Sequence, residues 1–150
     1  MKCLVMGLPG SGKTTLSKPF AELIGAVYLN ADEVRKKYDD WDFTIEGRLR
    51  QAYRMSHLAD GAVLAGKIAV ADFVCPTKET RDIFNADYTI FMDTIRKSEY
   101  EDTNSLFEPP EKVNYHVAKW FDDTDQQLLE AVQGWMRKNG LQKTNITDAR

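Results

Sequence analysis

A glycine-rich stretch near the N-terminus constrains the fold of this chain more than any other feature. Residues Gly7–Thr14 match the pattern G-x-x-x-x-G-K-[ST] at every defined position. Lys2–Met6 before it is an apolar run of strand length, and residues 14–24 after it have helical spacing. A strand, a glycine-rich loop and a helix in this order surround a phosphate with backbone N–H groups and a helix N-terminus. The sequence therefore predicts a nucleoside triphosphate site.

Each residue type in this loop suits a particular contact with the triphosphate. Glycine lets the backbone wrap closely around a phosphate. Lys13 places a compact positive charge on the β- and γ-phosphates, and the Thr14 hydroxyl suits Mg²⁺. We therefore predict ATP and Mg²⁺ as ligands, with Lys13 also acting in catalysis. The predicted ATP-binding residues are Gly7, Leu8, Pro9, Gly10, Ser11, Gly12, Lys13, Thr14 and Thr15.

Strand and helix patterns alternate along the rest of the chain. Further strands are predicted at 26–29, 67–74, 87–93 and 113–117, and helices at 33–38, 45–65, 78–84 and about 124–138. This alternation predicts one domain, 1–150, with an α/β P-loop NTPase fold of the nucleotide-kinase type. Its sheet would have five parallel strands flanked by helices. Residues 94–112 are polar and too long for an ordinary connection, which suggests a lid segment.

The composition is that of a globular protein of ordinary hydrophobicity. The net charge of −3 and the pI near 5.4 argue against a surface that coats nucleic acid. Cys3 and Cys75 fit reduced thiols better than a disulfide framework or a metal site. No run approaches the roughly 18 apolar residues of a membrane span, and the first strand leaves no room for a signal peptide. We therefore expect a cytoplasmic protein with no membrane contact, as a monomer or homodimer.

Two aspartates lie where predicted strands end, which is the edge at which such sheets bind ligands. Asp32 can orient or deprotonate an acceptor hydroxyl beside the γ-phosphate, although it also suits the N-cap of the next helix. Asp72 resembles a Walker B acid that holds Mg²⁺ directly or through water. The alternative for Asp72 is a buried structural acid bonded to the phosphate loop. We take Asp32 as a second catalytic residue, and Thr14 with Asp72 as the metal-binding residues.

Arginines and aromatic residues supply candidates for the acceptor side. Phe43 and Phe73 can stack on a base, or pack in the core. We expect His57 on a helix surface, and His116 as a core histidine on an interior strand. Guanidinium groups suit bidentate recognition of phosphate or sulfate, although arginines are also common on solvated surfaces. The candidate arginines are Arg35, Arg48, Arg54 and Arg81. The buried face of the long helix is predicted to carry Leu49, Ala52, Tyr53, Leu58, Ala62 and Leu64.

These segments together resemble the adenylylsulfate kinase (APS kinase) family of small P-loop kinases, thinly, over residues 1 to about 117. Gly7–Thr15 is similar to the family's phosphate loop, and Asn30–Arg35 is similar to its D-G-D-x-x-R segment. The resemblance implies that Asp32 is the catalytic carboxylate and that Arg35 lies near the acceptor.

Later motifs extend the resemblance. Arg48 and Arg54 resemble arginines of the family's D-R-x-x-N-x-R-R helix. Phe73–Pro76 resembles its F-I-S-P turn, and Lys78 and Arg81 lie near the basic positions that follow. Together with the candidates above, the predicted acceptor-binding residues are Arg35, Phe43, Arg48, Arg54, Phe73, Lys78 and Arg81.

The acceptor half departs from the family pattern. Asn30 stands for the first Asp of D-G-D. In D-R-x-x-N-x-R-R, Gly47 stands for Asp, Gln51 for Asn, and Tyr53 for the first of the paired arginines. The family's K-G-L-Y lid motif is absent. This pattern fits a relative with the same reaction and a possible change of acceptor, and short phage-type P-loop kinases of hydroxymethyl bases in DNA are also similar.

We therefore expect an ATP-dependent kinase that moves the γ-phosphoryl group to a hydroxyl group. The best-matched acceptor is the 3′-hydroxyl of adenosine 5′-phosphosulfate, a small anionic nucleotide. Alternative acceptors are 5-hydroxymethyluracil in DNA or another nucleotide hydroxyl. A second class is a nucleotide-binding regulatory module with slow hydrolysis, although the N-K-x-D motif that reads guanine is absent.

Overall fold

Five parallel strands form one sheet within residues 1–141, the part of the chain that this computed structural model describes. Their order across the sheet is β2-β3-β1-β4-β5, so the strand before the phosphate loop is central. Strands that are apolar on both faces are typical of such covered parallel sheets. The strands are β1 (Lys2–Met6), β2 (Val27–Asn30), β3 (Ala69–Asp72), β4 (Tyr88–Met92) and β5 (Tyr115–Val117).

Helices cover both faces of the sheet. They are α1 (Lys13–Ile24), α2 (Ala31–Tyr38), α3 (Ile45–Leu64), α4 (Lys78–Phe84), α5 (Glu101–Leu106) and α6 (Thr124–Lys138).

Two apolar layers hold the helices on the sheet. Phe20 of α1 and Leu128 of α6 are fully buried in the layer on one face. Met55 of α3 and Phe84 of α4 are fully buried in the layer on the other. Burial of apolar surface in both layers stabilises the fold and fixes the carboxyl ends of the strands relative to one another.

The predicted fold class is confirmed, since the five-stranded parallel sheet and its flanking helices are all present. One difference lies in the segment 94–112, which contains the short helix α5; its role as a lid stays a prediction. Another is the start of the second helix, which begins at Ala31 and not at Glu33. Among the described helices, none is long and apolar enough to cross a membrane. Residues 142–150 lie outside the described part.

The predicted buried face of α3 was partly wrong. The side chains of Tyr53 and Leu64 are 59% and 89% exposed. The buried positions of this helix include the polar residues Arg48 and Gln51, so an apolar stripe could not identify the inward face.

The expectation that His116 is a core residue was also wrong. Its strand, β5, is an edge strand of the sheet. The side chain is 51% exposed, and Nε2 lies 2.9 Å from Oδ2 of Asp93. His57 is exposed on α3, as expected.

Candidate active site

A cavity of about 820 Å³ opens where β1, β2 and β3 end. The loop after each of these strands contributes to its wall, as expected for ligand sites of parallel sheets. The segment around α5 also contributes to the wall through Tyr100, Asp102 and Thr103. The cavity therefore joins the predicted triphosphate site to the predicted acceptor site.

The phosphate loop has the backbone geometry that its glycines predict. Gly10 and Gly12 have φ angles of +84° and +96°, in the region that favours glycine. Nζ of Lys13 donates to the carbonyl oxygen of Leu8 at 3.2 Å, which holds the ammonium group over its own loop. Burial lowers the pKa of Lys13 from its ordinary value, and the charges of Asp72 and Asp32 oppose that shift. Both carboxylates therefore lie close enough to influence the ammonium group.

The other side of this loop is held by the chain segments after β4 and β5. Oγ1 of Thr94 donates to the carbonyl oxygen of Ser11 at 2.7 Å. The indole of Trp120 lies against Gly12, where a Cβ atom would come within 2.7 Å of its nitrogen. Oγ of Ser11 is a buried polar atom without a hydrogen-bond partner among residues 1–141. A buried hydroxyl of this kind is consistent with a loop shaped to receive a polar ligand.

A corner suited to a hard cation lies beside the loop. Asp72 is 2% exposed, and its Oδ2 accepts a hydrogen bond of 2.9 Å from Oγ1 of Thr14. A hydroxyl and a carboxylate are oxygen ligands of the kind that Mg²⁺ takes alongside phosphate oxygens and water. The described residues contain no cluster of three or more His, Cys, Asp or Glu that could hold a metal by themselves. The donor set therefore fits a cation that arrives with a triphosphate.

Asp32 faces the cavity, and Asn30 takes the capping role that the sequence had left open for Asp32. Oδ1 of Asn30 accepts the N–H of Glu33 at 3.0 Å and caps α2. Asp32 lies in the first turn of that helix and lines the cavity. Within residues 1–141 its carboxylate forms no hydrogen bond, so both oxygens are available to a ligand.

Two arginines and a phenylalanine form the acceptor wall. Arg35 and Arg48 are 5% and 7% exposed, and both line the cavity. Their guanidinium carbons lie 4.3 Å and 5.4 Å from the centroid of the Phe43 ring. Burial lowers the pKa of both guanidinium groups from their ordinary value. An anionic ligand between them would offset this loss of hydration.

The loop before α3 orients these arginines through its backbone. Nη1 of Arg35 donates to the carbonyl oxygens of Asp40 and Asp42 at 3.0 Å and 3.1 Å. Nε of Arg48 donates to the carbonyl oxygen of Phe43 at 2.9 Å. A Cβ atom at Gly47 would overlap with Asp42, so this loop can fold onto α3 because residue 47 is glycine. The departure from the family pattern at Gly47 therefore has a structural reason.

Three of the predicted acceptor-binding residues do not line the cavity. Arg54 pairs with Asp40 at 3.1 Å, and Lys78 pairs with Asp82 at 2.7 Å. Arg81 donates to two backbone carbonyl oxygens, at 2.9 Å and 2.8 Å. The structure thus gives each of these three cations partners within the protein.

Phe73 was predicted either to stack on a base or to pack in the core, and its position is compatible with both. It lines the cavity, and it is 6% exposed with its ring packed edge-on against Phe84, 5.5 Å between centroids. Sequence reasoning did not predict several other wall residues, which come from surface loops and from α5. They are Trp41, Tyr100, Asp102 and Thr103. No local pattern distinguishes them, since only the fold brings their segments to the cavity.

The five-stranded sheet and the phosphate loop give the chain the fold of the P-loop kinases. It superposes on the APS kinase CysC of Mycobacterium tuberculosis, solved in complex with AMPPNP and APS, with a TM-score of 0.72 and 19% identity; the match covers 88% of this chain and 96% of that one. The shikimate kinase of Aquifex aeolicus gives a TM-score of 0.65 at 13% identity, covering 89% of this chain and 97% of that one. At such identities these likenesses show the fold alone.

The particular family follows from the sequence match. The model of the family described as "Adenylylsulphate kinase" matches residues 1–114, and the chain belongs to that family. A probable adenylyl-sulfate kinase of Aeropyrum pernix is 35% identical over 83 residues, which cover 51% of this chain and 45% of that protein. The chain spans less than half the length of the curated relatives it matches. The resemblance inferred from the motifs is thereby confirmed.

Proposed function

We propose that this protein transfers the γ-phosphoryl group of ATP to a hydroxyl group, and that its acceptor is the 3′-hydroxyl of adenylylsulfate. The observation that carries this proposal is that Lys13, Asp32 and the Arg35–Arg48 pair all line the same cavity. Membership of the adenylylsulphate kinase family supports the same reaction.

The donor half would act mainly through charge. The amides of the phosphate loop and the ammonium group of Lys13 bind the β- and γ-phosphates and stabilise the charge that develops on them during transfer. Thr14 and Asp72 would hold Mg²⁺. The bound cation would neutralise part of the negative charge on the phosphates. Burial strengthens these interactions because water screens them less.

The acceptor half would position the hydroxyl group. Asp32 accepts its hydrogen bond and takes the proton as the new oxygen–phosphorus bond forms and the bond from the γ-phosphorus to the leaving oxygen of ADP breaks. Arg35 and Arg48 would bind the anionic phosphosulfate, and Phe43 would lie beside its base. Positioning of both substrates converts the transfer into an intramolecular step.

The alternatives can be ranked by what supports them. Neither the family match nor the structural neighbours reported above support a hydroxymethyl base in DNA as the acceptor. If the protein were only a nucleotide-binding regulatory module, Asp32 and the arginine pair would line the cavity without a role. The cytoplasmic location and the choice between monomer and homodimer remain predictions.

A transfer assay tests the proposal directly. Labelled ATP and Mg²⁺ are incubated with the protein, and adenylylsulfate, nucleosides and DNA containing 5-hydroxymethyluracil are offered separately. We expect label on adenylylsulfate, and none with Lys13→Ala. Lys18→Ala, an exposed lysine of the same helix, is the matched control and should retain activity. Label on DNA alone would contradict the adenylylsulfate proposal, and no acceptor-dependent label would contradict the kinase proposal.

A further inference from the structure

Three hydrogen-bond donors converge on one oxygen of Asp72. Oγ1 of Thr14, the hydroxyl of Tyr28 and Nδ2 of Asn30 lie 2.9 Å, 2.7 Å and 3.3 Å from Oδ2. Within residues 1–141 no hydrogen bond reaches the other oxygen, Oδ1, although the residue lines the cavity. The carboxylate is therefore oriented from one side and keeps a free oxygen for a ligand.

Tyr28 belongs to strand β2 and is not among the residues that line the cavity. Its hydroxyl therefore approaches the carboxylate from the sheet. On β2, Asn30 is in register with Asp72, and Tyr28 lies two residues earlier on the same face. Nδ2 of Asn30 also lies 3.3 Å from the Tyr28 hydroxyl. The two side chains thus form one hydrogen-bonded unit on the Oδ2 side of the carboxylate.

Both side chains are suited to holding the Asp72 carboxylate in one orientation. The Tyr28 hydroxyl donates to Oδ2 of Asp72 at 2.7 Å, the shortest of the three distances. Asn30 is neutral, whereas an aspartate at this position would place a second negative charge beside Asp72. The hydrogen bonds therefore hold the carboxylate of Asp72 in one orientation.

We propose that Tyr28 and Asn30 are positioning residues that tune the magnesium site through Asp72. This inference rests on the proposed function in one respect, that the site takes Mg²⁺ together with ATP. Partners that orient a metal ligand from behind contribute to metal affinity as well as to the geometry of the ligand. A purely structural hydrogen bond would affect stability equally with and without the metal.

The test measures how much Mg²⁺ strengthens nucleotide binding. The dissociation constant of AMPPNP is determined by calorimetry with excess Mg²⁺ and again with EDTA, and the ratio of the two is the magnesium gain. Tyr28→Phe removes only the hydroxyl. We expect its EDTA value to match wild type and its magnesium gain to fall by about tenfold. Tyr115→Phe, a partly buried tyrosine on the opposite edge strand, is the matched control and should keep the full gain.

Asn30→Asp provides a second, independent measurement. An aspartate oxygen can still cap α2, but the donor to Asp72 becomes an acceptor with a negative charge. With AMPPNP bound, added Mg²⁺ should raise the melting temperature of this variant more than that of wild type, because the metal relieves the carboxylate repulsion.

The outcomes separate this inference from the proposed function. An unchanged magnesium gain in Tyr28→Phe would overturn the positioning role. A melting shift in Asn30→Asp no larger than that of wild type would overturn the argument that the neutral amide of Asn30 avoids carboxylate repulsion at this site. Failure of wild type to bind AMPPNP under either condition would instead contradict the proposed function. Neither measurement needs the acceptor or turnover, so both remain informative whatever hydroxyl group the protein phosphorylates.

Discussion

The guanidinium group of Arg48 lies 3.5 Å from the carboxylate of Asp102. Arg48 belongs to α3 and Asp102 to α5, so the contact joins two elements whose residues line the cavity. Nη2 of the same arginine donates to Oγ1 of Thr103 at 2.9 Å. An acceptor anion that binds Arg48 must therefore compete with a carboxylate of the protein.

Removing that competition should strengthen acceptor binding. The Asp102 side chain is 69% exposed, and exposed pairs contribute about 0.2–1 kcal/mol. For Asp102→Asn we therefore expect the KM for adenylylsulfate to fall by up to about fivefold, with the KM for ATP unchanged. Steady-state kinetics with each substrate varied in turn measures this. Glu101→Gln on the same helix is the control, and a raised KM for adenylylsulfate in Asp102→Asn would show that the carboxylate assists binding.

Asp32→Asn should separate binding from turnover. The asparagine retains the size of the side chain but cannot take a proton, so we expect kcat to fall by about 10²–10⁴-fold. Binding of AMPPNP, measured by calorimetry, should stay at the wild-type level because the phosphate loop is untouched. Glu33→Gln changes the neighbouring exposed carboxylate and should leave kcat unchanged. If Asp32→Asn turned over at the wild-type rate, its carboxylate would have no catalytic role.

The phosphate loop and the strands could be predicted because short stretches of sequence determine them. Gly7–Thr14 defines a loop by its own backbone requirements, and apolar runs define the strands by their length. The cap of α2 was harder, because Asn30 and Asp32 are both good capping residues and only the first helical residue, Ala31, decides between them.

The acceptor wall and the exposure of individual side chains could not be predicted in this way, because they depend on residues far apart in the sequence. The buried guanidinium group of Arg48 donates a hydrogen bond to Thr103, which lies 55 positions away in the chain. The exposure of His116 follows from the place of β5 at the edge of the sheet, and strand order is set by the packing of whole helices rather than by the strand itself. The same holds for the acceptor wall, where α5 brings Asp102 to the cavity.

Gly12→Ala should disrupt the phosphate loop. A Cβ atom there would come within 2.7 Å of the Trp120 indole nitrogen, and the φ angle of +96° disfavours any other residue. Strain of this kind costs about 1–2 kcal/mol. We therefore expect a lower free energy of unfolding in urea and strongly weakened AMPPNP binding.

The control for this substitution is Gly134→Ala in α6. There the nearest atom that a Cβ would meet is Nη2 of Arg137, at 3.8 Å. Alanine inside a helix should raise stability by up to about 1 kcal/mol and leave nucleotide binding unchanged. Wild-type affinity for AMPPNP in Gly12→Ala would mean that the indole moves aside without effect on the loop.

The acidic loop before α3 should make stability depend on pH. Asp40 accepts hydrogen bonds from Arg50 at 2.8 Å and from Arg54 at 3.1 Å. The hydrogen bonds from Arg50 hold the pKa of Asp40 well below its ordinary value of 3.8. The bond from Arg54 makes a smaller contribution in the same direction. A carboxyl group whose pKa is lowered in the folded state stabilises the fold above its unfolded pKa. That contribution is lost as the pH falls from about 4 through the lowered value.

Asp40→Asn should therefore lower the melting temperature at pH 7, and the difference from wild type should shrink as the pH falls below about 4. It should also shrink in high salt, because partly exposed ion pairs are screened. Asp39→Asn is the matched control, since the Asp39 side chain forms no ion pair with the residues described, and asparagine tolerates its φ angle of +49°. Thermal scans at several pH values check this. A difference that stays constant from pH 7 to pH 2 would mean that Asp40 acts through packing and not through its charge.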